Sequence, residues 1–268
     1  EFGLEMKFFE NRFGFDIAIL FSDILITPYA LGQDLAFAAG EGPRLSPPLS
    51  NAALAGLQPR PERLEPIYET VKLVKAQLSP ETTFLGFAGS PWTVATYMVA
   101  GQGSREQAET RQLAYSDPGR FGAIIAALEE ITLTYLIGQA DAGVDAVQLF
   151  DSWSGSLAPA EFERWVIAPT ARLVEKLRAA RPSLPIIGFP KGAGGKLGAY
   201  ARETGVDALG LDETVDPAWA GEALESSVRR ILDALSDRPH VFNLGHGIQQ
   251  TTPIPHVEQL MRLLGKSL

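Results

Sequence analysis

Residues 142–150 read AGVDAVQLF, and residues 204–212 read TGVDALGLD. Both run Gly-Val-Asp-Ala into a short apolar stretch. The Gly suits the C-cap of a preceding helix, and the Asp suits the turn into a strand. Residues 13–21, FGFDIAILF, are a looser third copy. Working outward from these, six apolar runs stop at polar or glycine residues. They are 18–21 before Ser22-Asp23, 83–87 before Ala88-Gly89-Ser90, 146–150 before Asp151-Ser152, 185–189 before Pro190-Lys191-Gly192, 208–211 before Asp212-Glu213, and 241–244 before Gly245-His246-Gly247. Short, near-continuous apolar runs are the pattern of parallel strands covered on both faces. Helical patterns lie between them. Leu224, Val228, Ile231, Leu232 and Leu235 share one face of 222–235, as do Val257, Leu260, Met261 and Leu264 near the C-terminus. Strands alternating with helices predict βαβ units and a parallel sheet.

Such a chain folds as a (β/α)8 barrel or as an open doubly wound sheet. No Gly-x-Gly-x-x-Gly follows any of the runs, so a dinucleotide fold has no support. In a barrel the functional residues sit at the C-terminal ends of the strands, where Asp23, Ser152, Lys191, Asp212 and His246 fall. No linker divides the chain, which reads as one domain over 1–268. Residues 40–66, rich in Pro and Gly, read as a long loop, and such loops inside compact domains are often functional.

Composition narrows the chemistry. The chain has 268 residues, 46% hydrophobic, enough for one large core. No apolar run is expected to reach the roughly 18 residues of a membrane span. The most apolar region, 121–138, is interrupted by Glu129-Glu130. The N-terminus shows no charged-then-apolar leader pattern, and a cytoplasmic protein is the expectation. There is no cysteine, which excludes disulfides, thiolate metal sites and a cysteine nucleophile. The net charge of −9 argues against nucleic acid as a partner. Only three histidines occur, in unrelated contexts, so a histidine metal cluster is not expected.

Single residues decide little. An aspartate at a strand end, such as Asp23, is more often a cap or turn residue than a catalytic group at a barrel mouth. Lys191 lies in FPKGAGGKL (189–197), which invites a phosphate-cradle reading. A Walker loop would need Gly at Pro190 and Ser or Thr at Leu197, so the pattern fails. His246 sits between glycines, which suits close approach to a ligand or an ordinary surface loop. Tyr97 could be plain helix packing, and Trp92 reads as packing. No Gly-x-Ser-x-Gly elbow is present.

The chain resembles the uroporphyrinogen decarboxylase family. The resemblance is carried by RFGFDIAILFSDILITPYALG (12–32), GEGPRL (40–45), LGFAGSPWTVATYMVAGQGS (85–104), VQLFDSWSGSLAP (147–159), GVDALGLDETVD (205–216) and FNLGHGI (242–248), in the family's order. It implies a (β/α)8 TIM barrel, usually a homodimer. The implied activity removes four carboxyl groups of uroporphyrinogen III as CO2 to give coproporphyrinogen III, with no cofactor or metal. By that resemblance Asp23 faces the pyrrole N–H groups as the catalytic carboxylate. Tyr97, Ser152 and His246 bind substrate carboxylates, and Phe150 lines the cleft. A basic patch must then meet the substrate's carboxylates despite the acidic whole. Two parts of the family pattern find no match: the arginine-bearing strand unit at the N-terminus, and a late βα unit near 220–221. Six strands against a barrel's eight agree with this. Glu213 stands where family members commonly have Trp. An inactive or binding-only paralogue stays open, as does a superfamily methyltransferase, although the latter uses a zinc site with a cysteine ligand.

Overall fold

The computed structural model describes residues 16–20, 22–38, 42–212 and 262. The first strand is β1 (Ile17–Ile19), followed by helix α1 (Ile26–Ala30) and an antiparallel hairpin of β2 (Asp34–Ala38) and β3 (Gly42–Ser46). Then come α2 (Glu65–Lys75), β4 (Thr83–Gly89), α3 (Pro91–Ala100), α4 (Ala108–Ser116) and α5 (Pro118–Ala142). The remaining elements are β5 (Ala146–Asp151), α6 (Pro159–Phe162), α7 (Ala168–Ala180), β6 (Ile186–Pro190), α8 (Leu197–Glu203) and β7 (Ala208–Leu209). A π-helical segment, Glu163–Ile167, joins α6 to α7.

Among the described residues, five strands form one parallel sheet in the order β1-β4-β5-β6-β7. These are the first five apolar runs of the sequence. The sixth, 241–244, lies outside the described residues, as do the helical patterns at 222–235 and 257–264. The described strands follow barrel order but do not close a barrel.

The Gly-Val-Asp-Ala repeats do what their composition predicts. Gly143 caps α5 at φ +114°, and Gly205, at φ +73°, precedes β7. Asp145 and Asp207 each bind the backbone of the neighbouring strand. The start of α5 is equally explicit. Asp117 is its N-cap and accepts from the Arg120 N–H at 3.0 Å, with Pro118 in the first turn. Arg120 Nη2 also donates to the carbonyls of Leu49 and Ala52, tying the segment before α2 onto α5.

Two expectations are corrected. Residues 40–66 are not one long loop, because β3 occupies 42–46 and pairs back onto β2. Pro43 and Gly42 hid this strand, being poor strand formers tolerated in a two-stranded edge ribbon. The second concerns α5, which runs 25 residues and is apolar enough to cross a membrane by length and composition. Glu129-Glu130 does not interrupt it. Here it is a core helix: Ile124, Ile125, Leu128, Tyr135 and Leu136 are buried against the sheet and its neighbouring helices. Glu129, also buried, receives a two-point hydrogen-bonded ion pair from Arg172 of α7.

Candidate active site

The sheet's two faces differ in kind. Phe84, Val147, Leu149 and Ile186 belong to the core beneath the helices. Gly188 also faces that way, since a Cβ there would meet the Tyr200 hydroxyl of α8 at 2.6 Å. The alternate residues line the other face, where three phenyl rings pack edge to face. Phe87 lies 5.6 Å from Phe150, and Phe150 lies 5.7 Å from Phe189. Phe150 is half-buried at the centre of this row. The sequence reading singled out Phe150 and missed its neighbours. The available signal was a Phe close to the end of three successive runs, in GFAG, QLFD and GFPK.

Asp23 follows β1 and heads a tight turn. Its Oδ1 accepts from the Leu25 N–H at 2.8 Å, and its carbonyl accepts from the Ile26 N–H at 3.1 Å. The turn role considered for this residue is therefore real. It occupies one carboxylate oxygen and leaves the other uncommitted by the turn. The side chain is half-buried in the wall of an open cavity of about 500 Å3, together with Leu20, Ser22, Ile26, Tyr29, Leu35, Phe37, Ile67 and Thr70. Phe37, 67% exposed, and Leu35 come from β2 of the hairpin. The next residue, Ile24, packs on the C-terminal end of β4, 3.0 Å from where a Cβ on Gly89 would stand. This described wall carries no lysine or arginine. The basic patch expected from the resemblance is not on it, although Arg63 stacks over the Tyr29 ring at 3.9 Å.

Tyr97 and Ser152 lie outside that wall, the first on the helix that follows β4 and the second just past the end of β5. Tyr97 is half-buried on α3, its ring 6.5 Å from Trp153. Ser152 is exposed on the segment after β5. That segment is held from many sides. The Trp153 carbonyl accepts from Trp92 Nε1 at 3.3 Å and Gln107 Nε2 at 3.1 Å. Ser154 Oγ donates to the Asp151 carbonyl at 2.9 Å. Lys196 Nζ donates to the carbonyls of Gly155 and Leu157, both at 2.8 Å. The glycine-rich loop 192–196 thus packs against residues 155–157, so close that a Cβ on Gly155 would meet the Gly192 backbone at 2.7 Å. Its sequence serves loop packing, in keeping with the failed phosphate pattern. Asp212 Oδ2 accepts from the Gly192 N–H at 2.5 Å. His246 lies outside the described residues.

Asp151, between Phe150 and Ser152, faces the helices rather than the cleft. It is 1% exposed, accepts from Thr93 Oγ1 at 2.5 Å, and has its second oxygen buried without a partner. Burial pushes its carboxyl up to about 7, with the Thr93 hydrogen bond opposing.

The family model described as "Uroporphyrinogen decarboxylase (URO-D)" matches residues 9–266. A uroporphyrinogen decarboxylase of Rhizorhabdus wittichii is 67% identical over 273 residues, covering 94% of this chain and 79% of the relative. Those of Sphingopyxis alaskensis and Novosphingobium aromaticivorans are each 62% identical, over 94% and 95% of this chain and 80% and 81% of the relatives. Among solved structures, a methyltransferase from Methanosarcina mazei superposes with a TM-score of 0.80 at 14% identity, covering 98% of this chain and 83% of that one. At that identity the likeness is one of fold alone, and the fold is the TIM barrel. The matched span and these identities make this chain a member of the uroporphyrinogen decarboxylase family.

Proposed function

We propose that this chain decarboxylates the four acetate side chains of uroporphyrinogen III, giving coproporphyrinogen III in tetrapyrrole synthesis. The observation that carries the reading is Asp23: a carboxylate with one oxygen held by the turn, set in a cavity wall at the C-terminal side of the parallel sheet. Each cycle adds a proton to a pyrrole ring carbon. The C–C bond to the carboxylate then breaks, and its electron pair flows into the ring as CO2 leaves. The methylene takes up a proton to become methyl, and the ring proton is lost. The intermediate is cationic, and a fixed carboxylate facing the pyrrole N–H groups stabilises it. The row Phe87–Phe150–Phe189 supplies an apolar floor for the macrocycle. Tyr97, Ser152 and His246 are assigned to the substrate's carboxylates, a role supported by their motifs. A homodimer is part of the same reading.

The test is coproporphyrinogen formation from uroporphyrinogen III by the full chain and by its Asp23→Asn variant. No product from the folded wild-type protein would sink the reading. Near-wild-type product formation by the variant would remove Asp23 from the reaction.

A further inference from the structure

Helix α5 packs behind the sheet, and its buried face is apolar except at a few positions. Two of these, Tyr135 and Gln139, lie one helical turn apart and so share a face. Both reach the place where β1 leaves β4. Tyr135, 1% exposed, shares a hydrogen bond with Ser22 Oγ at 3.0 Å. Burial pushes its phenol up to about 12, so it stays neutral with one proton to donate. Ser22 is the residue immediately before Asp23.

Gln139, also 1% exposed, spends its whole amide on one residue of β4. The Phe87 N–H donates to Gln139 Oε1 at 3.1 Å, and Gln139 Nε2 donates to the Phe87 carbonyl at 2.9 Å. In a strand, alternate residues turn their backbone groups to opposite neighbours. The Thr83 N–H donates to Asp16 O at 2.8 Å, and the Leu85 carbonyl accepts from the Leu20 N–H at 3.4 Å, so Thr83, Leu85 and Phe87 face β1. Strand pairing between β1 and β4 ends at Ile19 opposite Leu85. The side-chain amide of Gln139 therefore takes the two Phe87 bonds that a longer β1 would have taken. Gly86 makes room for it, since a Cβ there would stand 2.7 Å from Gln139 Oε1.

We propose that Tyr135 and Gln139 are positioning residues for Asp23: Gln139 ends the β1–β4 ladder so that the chain can leave the sheet, and Tyr135 pins Ser22 where it leaves. The inference rests on the reading of Asp23 as the group facing the substrate. Without Gln139, two buried backbone groups of β4 would lack partners, or β1 would zip further along β4 and draw Asp23 into the sheet. Without the Tyr135 hydroxyl, the turn that carries Asp23 would lose its tether to the helix layer.

The test is kinetic, on the full chain. Tyr135→Phe removes only the hydroxyl, Ser22→Ala removes its partner, and Gln139→Met keeps the length without the amide. Each is measured for kcat, KM and thermal midpoint. Tyr135→Phe and Ser22→Ala are also combined with each other, and Tyr135→Phe with Asp23→Asn. Misplacing a reacting group by about an ångström costs up to about a hundredfold. The expected result is a kcat lowered by about tenfold or more in Tyr135→Phe, with KM within about twofold. The Ser22→Ala/Tyr135→Phe double variant should be no slower than the slower single variant. Gln139→Met should lower kcat similarly, with a larger drop in midpoint. In the Asp23→Asn background, Tyr135→Phe should change the residual rate by less than about twofold. An unchanged kcat in Tyr135→Phe, with Asp23→Asn inactive, overturns the positioning role and leaves the catalytic reading standing. Equal losses from Tyr135→Phe in both backgrounds, or multiplying losses in the Ser22/Tyr135 pair, also overturn it. Wild-type activity in Asp23→Asn overturns both.

Discussion

Asp145 grips Phe84 at two points. Its carboxylate accepts the Phe84 N–H at 2.7 Å, and its own N–H donates to the Phe84 carbonyl at 2.8 Å. Asp207 grips Ile186 in the same way, both at 2.8 Å. In each case the aspartate stands just before its strand and staples it to the start of the preceding strand in the sheet. The Gly-Val-Asp-Ala repeat is thus a register device: glycine ends the helix, and aspartate sets where the next strand begins.

That device should show in stability. Asp145→Ala and Asp207→Ala each leave a strand amide without its side-chain acceptor, expected to cost about 1–3 kcal/mol. The Lys75–Asp145 pair, both partners more than a third exposed, adds little. Asn keeps an acceptor oxygen and should lose less than Ala at both sites. Urea unfolding of the four variants checks the order. An Asn variant as unstable as its Ala counterpart would mean that the charge, rather than the acceptor, matters.

Asp23→Asn should leave folding nearly intact, because Asn can accept from the Leu25 N–H and keep the turn. The rate should fall by about 10² to 10³ through loss of one preorganised charge. Asp23→Glu should also be poor, since the extra methylene moves the carboxylate by about an ångström. Activity and thermal midpoint measured side by side separate the roles. A midpoint that falls together with the rate would make Asp23 chiefly a turn residue.

Asp151 predicts a pH effect on stability. The carboxyl rises from an ordinary 3.8 to about 7 on folding, so the folded state holds the proton more tightly. Stability from this group is complete below about pH 4 and declines as pH rises towards 7, by an amount on the order of 4 kcal/mol. Asn is neutral throughout and can still accept from Thr93. The midpoint of Asp151→Asn relative to wild type should therefore climb between pH 4 and pH 7.5. A difference that stays flat over that range would place Asp151 at an ordinary acidity.

Activity should survive exhaustive chelation and dialysis, because the proposed chemistry uses only the side chains and the substrate's own ring as electron sink. Loss of product formation on treatment, restored by a divalent metal or an organic cofactor, would refute that mechanism.

Much of the architecture was legible in the chain itself. The strands are short apolar runs with a repeated lead-in, and the physics that marks them is local: burial on both faces, a glycine at positive φ and an aspartate at a strand start. The hairpin was not legible, because Pro43 and Gly42 lack strand propensity and their pairing with β2 is decided by neighbours rather than by the residues themselves. Helix α5 was misjudged for a related reason. Glu129 reads as an interruption until Arg172, 43 positions away, supplies its partner.

The sequence alone determined the family pattern, the parallel βα order and the placing of Asp23, Phe150 and Ser152 at strand ends. Only the tertiary structure decided which face each strand residue takes, since continuous apolar runs carry no alternation to read. Tyr200 over Gly188 identifies the helix side, and the row of phenyl rings identifies the other. Phe150 and Asp151 are adjacent in β5 yet face opposite ways, one in the row of phenyl rings and one buried beneath helices, because successive strand side chains point to opposite faces. The grip of Tyr135 and Gln139 on the exit of β1 spans 113 and 52 residues. Contacts at that separation arise only when the helix layer settles on the sheet.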